Sequence, residues 1–156
     1  MPSATISTVG QYLTEPRNFS LLSRSVSALE PGEVLIAPRS VTLCGSDIHY
    51  YQKGCNGTIQ VREPLCLGHE FSGEIVDIGP GVTDRQIGDK VAVEPGVACN
   101  DCQVCLSGRY NLCTTLRFRG SGSAWPHFQG GLQSMVVHPS TWTHKYEHPC
   151  LTTNVK

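Results

Sequence analysis

A mainly β fold is predicted by two features of the sequence. Sixteen glycines and ten prolines cut it into short pieces, and the apolar runs between them alternate or are β-branched instead of recurring at helical spacing. The expected strands are Glu33–Ile36 and Ser40–Leu43, then Phe71–Ile78, Lys90–Glu94 and Leu132–His138. Pro38 falls between the first two and has no N–H to give a ladder, which implies a sheet edge or a bulge. Short helical turns are expected at Ser46–Gln52, opened by Ser46 or Asp47 as a cap, and at Gln103–Ser107. Gly79-Pro80-Gly81-Val82-Thr83-Asp84 and Gly88-Asp89 read as turns bracketing a strand.

At 156 residues the chain is long enough for one core, burying roughly 70% of its extended-chain surface, and short for two. Twelve basic residues balance thirteen acidic ones, with no Lys/Arg stripe to neutralise phosphates, so nucleic acid is not an expected partner. No run approaches the roughly 20 apolar residues that span a bilayer, and Met1-Pro2-Ser3-Ala4-Thr5 is unlike a secretory leader. A cytoplasmic protein is therefore expected, without a membrane partner. In that setting eight cysteines point to metal thiolates ahead of disulfides.

The cysteines fall into two constellations. Cys99, Cys102, Cys105 and Cys113 are spaced by two, two and seven residues and can saturate one tetrahedral Zn²⁺, a closed and therefore structural site. Iron–sulfur ligation is the chemical rival for such a spacing. The second set is Cys44, followed by Gly45-Ser46-Asp47, with Gly68-His69-Glu70. A thiolate, a neutral imidazole and a carboxylate are all ordinary zinc donors, and three of them leave a position for water or an alcohol, which the cation acidifies. Gly68 allows the sharp turn that lets His69 and Glu70 converge. Asp47 is placed to accept from the second ring nitrogen of His69, and Ser46 and His49 to pass a proton to solvent. Taken singly, a buried cysteine is more often a small hydrophobe, and a His-Glu dipeptide a surface accident.

The surrounding pattern resembles a known family. Gly68-His69-Glu70-Phe71-Ser72-Gly73-Glu74-Ile75-Val76-Asp77-Ile78-Gly79-Pro80-Gly81-Val82 is similar to the GHExxGxxxxxGxxV signature of zinc-containing medium-chain alcohol dehydrogenases. Cys44-Gly45-Ser46-Asp47-Ile48-His49-Tyr50-Tyr51 narrows the likeness to the polyol branch, with sorbitol, xylitol, L-arabinitol and L-idonate dehydrogenases. Residues 99–113 resemble that family's structural-zinc lobe, which decides for zinc over iron–sulfur. The resemblance implies a GroES-like β-barrel with short helices and a zinc lobe over residues 95–115. It implies a catalytic zinc on Cys44, His69 and Glu70, hence two Zn²⁺ per chain. It also implies relay roles for Ser46 and His49, and substrate-pocket aromatics at Tyr50 and Phe118, for which core packing is the alternative. Cys55, Cys66 and Cys150 receive no role.

The likeness runs from about Gly32 to Lys145. The expected organisation is thus an N-terminal segment 1–31, partly ordered, a catalytic domain 32–145, and a divergent, disordered tail 146–156. No GxGxxG follows a strand: in Gly79-Pro80-Gly81 onward, Asp84 stands where the third glycine belongs. The Rossmann domain of the family is therefore expected to be absent and NAD(P) not bound by this chain alone. A truncated catalytic domain is expected, inactive in isolation, monomeric or weakly associating, whose family substrate is a small-molecule polyol. The competing reading is a non-catalytic zinc-binding module.

Overall fold

The computed structural model describes residues 6–26 and 28–147. In chain order the strands are β1 (Ile6–Glu15), β2 (Asn18–Val26), β3 (Glu33–Thr42), β4 (Cys55–Asn56), β5 (Ile59–Gln60), β6 (Leu65–Cys66), β7 (Glu70–Ile78), β8 (Lys90–Val93), β9 (Gly96–Val97), β10 (Arg117–Phe118), β11 (Val136–Pro139) and β12 (Thr143–Lys145). Helix α1 spans Gly45–Lys53 and α2 spans Gln103–Leu106, with 3-10 turns at Tyr110–Leu112 and Ser140–Trp142. The mainly β class is as the sequence predicts.

A five-stranded sheet in the order β11-β3-β7-β8-β12 forms the body, all pairs antiparallel. Its inner face carries Val34, Ile36, Phe71, Ile75, Val91, Val93 and Val136, each side chain contributing roughly 1.5–3 kcal/mol by leaving water. Pro38 lies not at an edge but in the interior strand β3, which is continuous through it. The alternative device is the one used: the β3–β7 register slips between Pro38 and Ser40, a bulge that absorbs the missing donor. The β11 ladder reaches only from Glu33 to Ile36, so Pro38 has no second neighbour to satisfy.

Residues 6–26 are more built-in than the sequence suggests. β1 and β2 form a hairpin, and β1 also pairs with β6 through Tyr12↔Cys66 and Leu13↔Leu65. Tyr12 and Leu13 are fully buried, so β1 packs against the strands that follow Gly32. The buried face of β1 carries Thr8, Gly10 and Tyr12 in place of aliphatics, which hides the period-two signal. Its turn puts Arg17 at φ 65°, where glycine is the usual marker. The expected tail lies outside the described residues beyond Glu147, and Cys150 with it.

A second core joins the hairpin to the helix: Leu13, Tyr50, Leu65 and Leu67. A third, Ala98, Cys113 and Trp142, sits under the four-cysteine lobe. Among the described residues no helix is long and apolar enough to cross a membrane.

Candidate metal centres

The pairing of β3 with β7 builds the three-ligand cluster. Register Thr42↔Glu70 ends the ladder, so the chain leaving β3 reaches Cys44 while the chain entering β7 brings His69 and Glu70 to the same spot. Gly68 turns the backbone there at φ 80°, and a Cβ on it would stand 2.6 Å from Val41 Cγ1. Glycine is required on both counts. One ligand atom each from Cys44, His69 and Glu70 then lies within 4.8 Å of the others. Nε2 of His69 faces Glu70 Oε1 at 4.0 Å, slightly open compared with the roughly 3.4 Å of nitrogen and oxygen sharing a tetrahedral zinc. Thr42 Oγ1 donates to Glu70 Oε2 at 2.8 Å, orienting a carboxylate that is otherwise exposed. Sequence reasoning missed Thr42; only the strand register identifies it.

Asp47, 2% exposed, ties the two halves together. Its carboxylate accepts the Cys44 N–H at 2.9 Å on Oδ2 and the Gly68 N–H at 3.2 Å on Oδ1. It lies 3.6 Å from Nδ1 of His69, an electrostatic approach longer than a formed hydrogen bond. The expected orienting contact to His69 is therefore loose, and the firm contacts are to backbone. Burial alone would raise the Asp47 carboxyl, but His69 and the two N–H donors outweigh it and hold it low. Asp47 in turn raises His69 against the opposing effect of burial.

Cys44 occupies the N-cap of α1. Donation from the Ser46 N–H and hydroxyl, then from His69, lowers the thiol below its ordinary value, as expected at a helix N-terminus. Ser46 is half-buried and beside the sulfur, and His49 is exposed to solvent. Phe118 sits over the cluster, its ring centroid 5.3 Å from that of His69. Tyr50 does not reach solvent: it is 2% exposed, its hydroxyl lies 3.1 Å from Ser121 Oγ and accepts the Gly122 N–H at 3.2 Å. Of the two aromatics expected to line a pocket, Tyr50 is thus spent on core packing.

The four cysteines of the lobe lie at bonding positions around one point. Their sulfurs are separated by 3.4 Å (Cys102–Cys105), 3.5 Å (Cys99–Cys113), 3.9 Å (Cys99–Cys105) and 4.0 Å (Cys102–Cys113). Bonds of about 2.3 Å in a tetrahedron put sulfurs about 3.8 Å apart, so the cage is zinc-sized. The Asp101 and Cys102 N–H groups pull Cys99 down to about 6, while partial burial and the neighbouring thiols push Cys105 up to about 12. Four sulfurs this close cannot all ionise without a cation among them. Thr115 Oγ1 lies 3.4 Å from Cys113 Sγ, a contact with no sequence signal. All seven described cysteines are free of disulfides.

Residues 30–148 match the family described as alcohol dehydrogenase GroES-like domain. An L-arabinitol 4-dehydrogenase of Hypocrea jecorina is 45% identical over 122 residues, covering 78% of this chain and 31% of that relative. The L-idonate 5-dehydrogenase structure from Escherichia coli superposes with a TM-score of 0.84 at 26% identity, over 92% of this chain and 41% of the other. A short chain alcohol dehydrogenase from E. coli CFT073, complexed with NADH, gives 0.75 at 32% identity, over 89% of this chain and 38% of the other. The chain spans about a third of the length of the curated relatives it matches.

Proposed function

The chain belongs to the alcohol dehydrogenase GroES-like domain family, and on that premise we propose that it is the catalytic domain of a zinc-dependent polyol dehydrogenase. The reaction is oxidation of a secondary alcohol of a sugar alcohol to a ketone, with NAD(P)⁺ as hydride acceptor. The observation that carries this reading is the convergence of Cys44, His69 and Glu70 within 4.8 Å in a chain 45% identical to an L-arabinitol 4-dehydrogenase.

Zinc bound by Cys44, His69 and Glu70 would supply Lewis acidity, bringing the pKa of an alcohol oxygen toward neutrality. The protein residues do the rest. Cys44, at the helix N-terminus, has its thiol lowered by donation from Ser46 and then His69, which favours the thiolate a metal needs. Asp47 fixes the backbone of Cys44 and Gly68, and so the spacing of the ligands. Ser46 Oγ takes the alcohol proton and the imidazole of His49, exposed to solvent, releases it. Phe118 supplies an apolar wall beside His69. The Cys99, Cys102, Cys105 and Cys113 cage would hold a second zinc that braces the lobe above Trp142.

Hydride transfer needs the nicotinamide held against the carbinol carbon, and no dinucleotide fingerprint lies in these 156 residues. The chain by itself should therefore take up two metal equivalents yet give no turnover. A non-catalytic zinc module is the second reading, resting on the same two ligand clusters. Fusing a relative's nucleotide-binding half to residue Lys145 and assaying sorbitol, xylitol, L-arabinitol and L-idonate with NAD⁺ and NADP⁺ separates the two. Turnover lost on Cys44→Ser supports the enzyme; a folded, zinc-loaded and inactive fusion supports the module.

A further inference from the structure

Away from both ligand clusters, a cleft of about 530 Å³ opens between β1, the end of β2 and the chain leading into β11. Thr8, Tyr12, Arg24, Arg119, Phe128 and Gln133 line it, and no member of either metal cluster does. Arg119 is only 3% exposed. Its Nε donates to Nδ1 of His138 at 2.8 Å, one Nη to the Gln129 carbonyl at 2.8 Å, and the other to the Val137 carbonyl. All three acceptors are uncharged, and two of the five guanidinium N–H groups are left over.

Other cations gather at the same place. Arg119 and Arg117 lie 3.9 and 4.4 Å from the centroid of the Phe128 ring. Arg24 covers the Tyr12 ring at 4.7 Å and donates to the Pro64 carbonyl at 3.2 Å. Among the described residues no carboxylate comes within 4.0 Å of any of these three arginines. Residues 1–5, 27 and 148–156 include no Asp or Glu that could supply one. Glu33, the acid whose field Arg119 feels, is committed to the Glu30 N–H at 2.9 Å. Burial brings Arg119 down to about 9, the sign of a charge without a counter-charge. In a chain of net charge −1 this is a local excess, and buried charges are normally paired.

We propose that this cleft binds a phosphate dianion, free or as the head of a phosphate monoester, between Arg119 and Arg24. Guanidinium forks match phosphate oxygens, and a dianion neutralises two cations where a monocarboxylate would leave one. Arg117, exposed and stacked on the Phe128 ring that lines the cleft, adds attraction and makes the affinity salt-dependent.

The test is isothermal titration of the purified 156-residue chain with inorganic phosphate, glycerol phosphate, sulfate and acetate at constant low ionic strength. Saturable one-site binding of phosphate or glycerol phosphate, with acetate weaker, is the expected result; whichever of the first two binds tighter identifies the source. Arg24→Gln should weaken binding about tenfold or more while the unliganded chain stays folded, with an unfolding midpoint lowered only by the lost Pro64 and Tyr12 contacts. Arg39→Gln, at a surface arginine 3.2 Å from Glu74, should change nothing. The Nε–H resonance of Arg119 should move with phosphate and not with chloride. No saturable heat up to about 10 mM phosphate, or binding that survives Arg24→Gln undiminished, overturns the proposal.

Discussion

Asp47→Asn keeps the shape of the side chain and removes one acceptor, and the geometry says what that costs. Each carboxylate oxygen accepts a different backbone N–H, Cys44 at 2.9 Å and Gly68 at 3.2 Å. An amide must turn its NH₂ toward one of them, so one of two buried donors loses its partner whichever way the group rotates. Losing a hydrogen bond to a charged acceptor is worth roughly 1.5–3 kcal/mol. Both donors belong to segments that carry ligands, so the loss falls on ligand spacing: a 10–100-fold drop in metal affinity at the three-ligand site is expected, about 1.4–2.8 kcal/mol. Competition against a chromophoric chelator measures it on the second metal equivalent, with the four-cysteine cage as internal control. Cobalt substitution separates the sites, since one thiolate and four thiolates give sulfur-to-metal bands of different intensity. A variant that folds, loads the cage and holds the second metal within about twofold of the unsubstituted chain would refute the reasoning.

Cys102→Ser should lower bound zinc from two equivalents to one, read by elemental analysis, and destabilise the lobe by several kcal/mol. Gly68→Ala should cost about 1–3 kcal/mol in chemical denaturation, because the backbone sits at φ 80° and the new methyl meets Val41, and should abolish metal uptake by the three-ligand site alone. His138 accepts from Arg119 on Nδ1 at 2.8 Å and contacts the Glu94 carbonyl through Nε2 at 3.1 Å, so it is the neutral Nε2–H tautomer. Burial and then Arg119 depress it to about 3. The unfolded chain therefore binds the proton first: stability is full above about pH 6.5 and falls as pH drops toward 3, by about 2 kcal/mol at pH 5. His138→Gln should flatten that acid limb in urea unfolding midpoints between pH 7 and 5, and an unchanged slope would contradict it.

Much of this protein was legible before any coordinates. The four cysteines at fixed short spacing can meet one ion by local geometry alone. Gly68-His69-Glu70 carries its own turn, and the strands with aliphatic inward faces, such as Phe71–Ile78, declare themselves by alternation. What the sequence hid has a common physical cause: the information lies in pairs of residues far apart in the chain. The hairpin of β1 and β2 buries Thr8, Gly10 and Tyr12, whose fit depends on Gln133 and Ser134, with Thr8 Oγ1 3.4 and 3.3 Å from their side chains. Thr42 acquires its role only when β3 is registered against β7, and Tyr50 loses a substrate face only because Leu13, Leu65 and Leu67 close around it. Arg119 reads as an ordinary charged residue until the fold buries it without an acid. Ligand identity was thus set by residue chemistry and local spacing, whereas the orientation of those ligands, and the cationic cleft, were decided by tertiary pairing.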